Sequence, residues 1–122
     1  MNRIYYAHHI WKYGTEIENY EIKIINESKI KGEVLNPSTN IEQNSNEMQI
    51  MKECYKMIDE CNIIVLSSLS GIIGKGVFNE VIYAIKNKKK VYYIKNGKIK
   101  RIFIFKYRII GKNNREYAIV KN

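Results

Sequence analysis

Glu80 is the side chain of this sequence best placed to do chemistry. It closes a stretch in which an apolar run, Asn62-Ile63-Ile64-Val65-Leu66, breaks into Ser67-Ser68-Leu69-Ser70, then Gly71, Gly74 and Gly76, before Val77-Phe78-Asn79-Glu80 opens a helical pattern. That order predicts a buried strand, a loop able to approach a ligand closely, and a helix N-terminus behind it. Open α/β sheets bind ligands at such strand ends. With a helix expected over 77–87, Glu80 falls in its first turn, where the dipole and free N–H groups hold a carboxylate ionised. An ionised carboxylate suits an oxocarbenium-like centre, as nucleophile or as stabiliser. The simpler role is to complement the dipole of its own helix.

Other side chains cluster around the same expected strand ends. Tyr5 and Tyr6 lie in the first strand, and alternation lets only one of them face a site. His8 and His9 follow that strand, where an imidazole could bind phosphate or protonate a purine. Trp11 and Tyr13, in the same loop, could stack on a base or pack beneath a lid. Ser67, Ser68 and Ser70, with the backbone N–H groups of Gly71 to Gly76, could cradle a phosphate, and Lys75 would add charge. Asn36 and Asn40 could line the far side. The glycines match neither the phosphate-loop pattern, because Gly74-Lys75 is followed by Gly76, nor the dinucleotide fingerprint, because the first strand has no glycine-rich turn. Cys54 and Cys61 stand seven apart in one expected helix, too far for a disulfide and without nearby histidines for a metal site. They read as buried thiols of a reduced, cytoplasmic protein. No metal and no cofactor is expected.

The elements that must position these groups follow from periodicity. The chain of 122 residues fits one domain over 1–122, with a core over 3–95 and an extension over 96–122. Strands are expected at Arg3–Ala7, Glu33–Asn36, Ile63–Leu66 and Lys90–Ile94. Helices are expected from Thr15 to about Lys29, with Thr15 and Glu18 in a capping box and Ile17, Tyr20 and Ile24 as its stripe, and from Glu47 to Glu60. Residues 37–46 read as a polar loop that could serve as a lid. Asn96-Gly97 is a hairpin signal, and Ile102–Phe105 and Tyr117–Val120 read as further strands. The fold class is therefore α/β, a three-layer flavodoxin/Rossmann-like parallel sheet with antiparallel C-terminal strands. No run is long enough for a membrane span and no signal peptide is visible.

Charge divides the chain. Residues 1–80 carry 8 basic and 11 acidic side chains, a balance of −3, whereas residues 81–122 carry 13 basic and 1 acidic, a balance of +12. A basic half suits a phosphate-bearing ligand, nucleic acid or an acidic partner. In a chain rich in Ile, Lys and Asn it also reads as solubilising surface. Strand alternation accounts for the aromatic–lysine interleaving of Lys86–Arg108, so nucleic acid is disfavoured.

Three pieces, in order, resemble the nucleoside 2-deoxyribosyltransferase superfamily, including the deoxynucleoside monophosphate N-glycosidase-like proteins. Ile4-Tyr5-Tyr6-Ala7 resembles its opening strand, Cys61-Asn62-Ile63-Ile64-Val65 its third strand, and Gly76-Val77-Phe78-Asn79-Glu80-Val81-Ile82-Tyr83-Ala84 its Gly-x-x-x-Glu-x-x-x-Ala segment. The similarity spans about residues 3–95. It implies Glu80 as a nucleophile that forms a glycosyl-enzyme intermediate, and a homo-oligomer whose neighbours complete each other's sites. One departure stands out: the position of the family's second carboxylate falls near Cys54, while Glu53 and Asp59 point elsewhere.

The expected function is a nucleoside- or nucleotide-binding enzyme, a hydrolase or transferase that releases or exchanges a base at an N-glycosidic bond. Its site would comprise Glu80 with Tyr5, His8, His9, Trp11, Ser67, Ser68, Ser70, Gly71, Gly74, Lys75 and Gly76. The alternative is a non-catalytic binder that senses or sequesters a nucleotide-derived signalling molecule, as a counter-defence protein of a mobile element would.

Overall fold

Strand β1 (Asn2–Ala7) is buried on both faces because helices cover the sheet on both sides. A computed structural model describes residues 1–43 and 46–120. Its main sheet has five strands, β1, β2 (Gly32–Leu35), β3 (Ile63–Leu66), β5 (Lys90–Lys95) and β6 (Lys98–Ile102), in the order β2-β1-β3-β5-β6. The first four of that order are parallel, and β6 is antiparallel. A second, antiparallel sheet places β8 (Glu116–Ile119) between β4 (Ile72–Gly74) and β7 (Tyr107–Ile110). The fold is the expected mixed α/β arrangement with antiparallel C-terminal strands, but only β6 extends the parallel sheet.

Alternation along β1 sorts its side chains into two cores. Tyr5 and Ala7 join Cys54, Met57 and Ile58 of α3 (Glu47–Asp59) and Val77, Val81 and Ala84 of α4 (Lys75–Lys86). Ile4 and Tyr6 join Ile25 of α1 (Glu16–Glu27) on the opposite face. Burying one such side chain contributes about 1.5–3 kcal/mol, so a slip of one residue along β1 would exchange the two sets and is strongly disfavoured. Gly32 sets the register at one end. It lies opposite Asn2, and a Cβ there would fall 2.2 Å from the Asn2 carbonyl oxygen.

Several local expectations need correction. The core face of α1 is not Ile17 and Tyr20, which are exposed, but Glu18, Glu21 and Ile25. Two glutamates face inward because buried partners await them. Thr15 caps α1 by accepting from the Glu18 N–H, yet the Glu18 side chain turns to His8 and the Gly14 N–H instead of closing the box. The loop after β2 contains a short helix, α2 (Pro37–Asn40), capped by Asn36; residues 44–45 of that loop lie outside the described residues. Asn96 and Gly97, at φ 53° and 72°, make the expected hairpin turn, but its second strand runs on to Ile102. The chain then bends at Phe103, and the next strand begins only at Tyr107.

Candidate active site

The segment between β3 and Glu80 is more structured than a ligand-cradling loop. Leu69 and Ile72 pair across a turn in which Ser70 and Gly71 take φ 52° and 84°. Ile72–Gly74 then forms β4 on β8, and α4 begins at Lys75 with Gly74 as an N-cap lacking a side-chain cap bond. Glu80 therefore lies in the second turn, not the first, where the backbone N–H groups are already used within the helix. It occupies the core-facing stripe Val77, Glu80, Val81, Ala84, a place where that spacing calls for an apolar residue.

Glu80 is only 6% exposed. The Tyr5 hydroxyl donates to its Oε2, and the Cys54 thiol bonds its carboxylate from α3. Burial raises its pKa to about 7, while the bonds from Tyr5 and Cys54 pull the other way. The expectation of a carboxylate held ionised by a helix terminus is thus replaced by one poised between states near neutrality. Burial first, and then the Glu80 charge, push Tyr5, Tyr13 and Tyr55 above the usual phenol range and Cys54 up to about 12. Cys54 thus stands beside Glu80 where the resemblance implied a second carboxylate. Glu53 instead bonds Gln49, and Asp59 accepts from the Tyr83 hydroxyl.

A second polar cluster fills the opposite face at the carboxyl ends of β1 and β3. The Lys12 ammonium pairs with Glu21 at 3.2 Å and also donates to Ser67 Oγ and the Ser68 carbonyl. Tyr6 and Ser67 hydroxyls donate to Glu21 at 2.5 and 2.7 Å. His8 stacks on Tyr6 with ring centres 3.7 Å apart, and its Nε2 lies 2.7 Å from Glu18. The two His8 nitrogens lie against oxygens, Nε2 against Glu18 and Nδ1 against the Tyr6 carbonyl. Burial pulls His8 down in pKa against these bonds. Burial opposes ionisation of Glu18 too, but the bonds from His8 and the Gly14 N–H outweigh it and keep that carboxyl low.

The sequence candidates therefore separate. Tyr5 meets Glu80. His8 and Ser67 are buried and engaged by protein partners, so their side chains are not presented to a ligand. His9 packs over Gly74 at the start of α4 and accepts the Trp11 N–H, while Trp11, 75% exposed, stands edge-on to it. Lys75 and Gly76 lie exposed in the first turn of α4, and a Cβ on Gly76 would meet open space. Ser68 bonds the Tyr93 hydroxyl at 2.8 Å and accepts the Gly71 N–H.

Ser68, Ser70 and Gly71 also border a cleft of about 620 Å³ whose cations are Lys95, Lys100 and Arg101 of the β5–β6 hairpin. Glu80 does not line it. Sequence reasoning missed these three cations as a group, and also Lys12, Glu18 and Glu21. The glutamates' signal was there: Glu18, Glu21 and Ile25 repeat at helical spacing. Among the described residues no cluster of three or more His, Cys, Asp or Glu could hold a metal ion, and no helix is long and apolar enough to cross a membrane.

These elements define an α/β fold with a reversal of strand order between β1 and β3, the place where such sheets take ligands at their carboxyl ends. A solved structure with this fold is the 2-desoxiribosyltransferase from Leishmania mexicana, similar at a TM-score of 0.57 and 21% sequence identity over 77% of this chain. The chain spans 64% of the length of that structure. No protein-family model and no curated protein matches the sequence.

Proposed function

We propose that this protein acts on the N-glycosidic bond of a nucleoside or nucleotide, releasing or exchanging its base, with Glu80 as the nucleophile at the anomeric carbon. The observation that carries this reading is Glu80 itself: a carboxylate on the core stripe of α4, nearly sealed from solvent and held by the Tyr5 hydroxyl and the Cys54 thiol. A structural protein gains nothing from a carboxyl buried there, since the site raises its pKa and favours its neutral form. The similarity in fold to a deoxyribosyltransferase supports the same class of bond. In this reading Trp11 and the exposed start of α4 with Gly74, Lys75 and Gly76 form the rim that receives the nucleoside, and His9 braces that rim through Gly74 and the Trp11 N–H. Ser68, Ser70 and Gly71 form the turn toward its phosphate. His8 and Ser67 hold the two loops in place. Assembly into a homo-oligomer and a cytoplasmic location belong to the same reading.

The test is mass spectrometry of a panel of nucleosides and nucleotides incubated with the wild type and with Glu80→Ala. Free base is expected only with the wild type, a loss of at least about 100-fold in the variant. Full turnover by Glu80→Ala would rule out the nucleophile.

One observation favours a second reading, a binder that holds a nucleotide-derived signal without turning it over. The cleft bearing Lys95, Lys100 and Arg101 excludes Glu80, so an anion seated there need not meet the carboxylate. For a binder, Lys100→Glu/Arg101→Glu should abolish retention of the nucleotide while Glu80→Ala keeps it, and the ligand recovered after denaturation should be intact. Base release from the recovered ligand would count against it.

A further inference from the structure

We infer that the Glu80 site takes N-glycosides whose base already carries a positive charge, a pyridinium or an N7-alkylated purinium, because among the described residues it offers one carboxylate and no partner able to protonate a departing base. The inference rests on the reading of Glu80 as nucleophile and narrows its substrate class.

A neutral purine or pyrimidine leaves as an anion unless an acid protonates it, and such an acid is worth about 10²–10⁴ in rate. The groups facing Glu80 do not supply one. From β1 comes the Tyr5 phenol and from α3 the Cys54 thiol, while Tyr55, stacked on Tyr83, and Tyr13, against His8, feel its charge from farther out. β3 brings only aliphatic side chains, as does β4 ahead of Gly74, and β8 packs Tyr117 flat on Phe78. The remaining acids nearby are engaged elsewhere: Glu18 with His8, Glu21 with Lys12, Glu53 with Gln49 and Asp59 with Tyr83. His9 stands over Gly74, about one and a half helical turns from Glu80. The phenols and the thiol are held in their neutral forms, Cys54 up to about 12, too weakly acidic to assist at neutral pH. Glu80 cannot be both ionised nucleophile and acid in the same step.

A cationic base removes the need. The bond from the anomeric carbon to the ring nitrogen breaks, its electron pair neutralises the ring, and the base departs uncharged. The ionised Glu80 oxygen forms the new bond to the anomeric carbon. Water then attacks that carbon, the Glu80 carboxylate is released, and the proton of the water passes to solvent.

The test compares nicotinamide riboside and 7-methylguanosine with their uncharged counterparts, dihydronicotinamide riboside and guanosine, following base release by chromatography from pH 5 to 9. The wild type is expected to cleave at least one cationic nucleoside about 100-fold or more faster than its neutral counterpart. With nicotinamide riboside, whose ring charge does not titrate, the rate should rise with pH to a plateau, with a midpoint near 7. Which of the two is cleaved distinguishes the pyridinium from the purinium source. Comparable or faster release from guanosine overturns this inference and leaves the N-glycosidic reading standing. No release from any nucleoside or from the broader nucleotide panel overturns both. The comparison is made within the wild type, so it does not depend on any variant folding.

Discussion

The Tyr5 hydroxyl donates to Glu80 across the layer between β1 and α4, joining residues 75 positions apart in a site that water barely reaches. The bond favours the charged carboxyl, whereas burial favours the neutral one, and burial is the larger effect. Tyr5→Phe removes one of the opposing bonds and keeps the ring. Glu80 should then titrate above 7 by about one to two pH units, the equivalent of a charge-assisted hydrogen bond of about 1.5–3 kcal/mol. Carbon NMR of the Glu80 carboxyl reads this directly, whether or not the protein turns over a substrate. An unchanged midpoint would mean that the phenol does not bond the carboxylate.

Glu80 also ties stability to pH. Its folded pKa of about 7 lies above the ordinary carboxyl value of 4.5. The folded state therefore binds the proton more tightly than the unfolded chain does. Below pH 4.5 the group costs nothing. As pH rises from 4.5 to 7 the protein loses stability on its account, and above 7 the loss is complete, on the order of 3 kcal/mol. Glu80→Gln should flatten that part of the stability profile and raise the melting temperature at pH 8. Equal pH profiles for the two proteins in denaturant titrations would contradict the assignment.

Lys12 and Glu21 form a buried ion pair, and truncating one partner leaves the other charge without compensation. Lys12→Met should destabilise the fold by about 3–5 kcal/mol. Adding Glu21→Leu should recover much of the loss, because no stranded carboxylate remains. Chemical denaturation of the single and double variants checks this. A harmless Lys12→Met would show that Tyr6 and Ser67 alone satisfy Glu21.

The parallel core was legible because its signals are local. Ile63–Leu66 is a continuous β-branched run, and Met57, Ile58 and Cys54 repeat at helical spacing. Asn96-Gly97 can hardly be anything but a tight turn. Alternation in β1 allowed only one of Tyr5 and Tyr6 to face the site, and the structure turns Tyr5 to Glu80. What escaped was non-local. Ile72–Gly74 is too short to declare itself, and it becomes a strand only because Glu116–Ala118 lies alongside. With β4 in place, α4 starts two residues earlier than its apolar pattern suggests, and Glu80 moves out of the first turn. The buried face of α1 was misread for a related reason. Glu18 and Glu21 look like solvent residues until His8, Lys12, Tyr6 and Ser67 are known to meet them. The cations of the cleft were visible only as surplus charge until the hairpin gathered them.

β8 is the only strand paired with β4 among the described residues, and β4 runs directly into the helix that carries Glu80. The small sheet and the start of α4 share one core with the parallel strands through Ile73, Val77 and Tyr117. Peeling β8 away would loosen the seat of Glu80 while leaving β1, β3 and β5 paired. Water could then reach the carboxyl, and its proton affinity would fall back toward that of an exposed acid. The packing of β8 is in this way coupled to the acidity of Glu80.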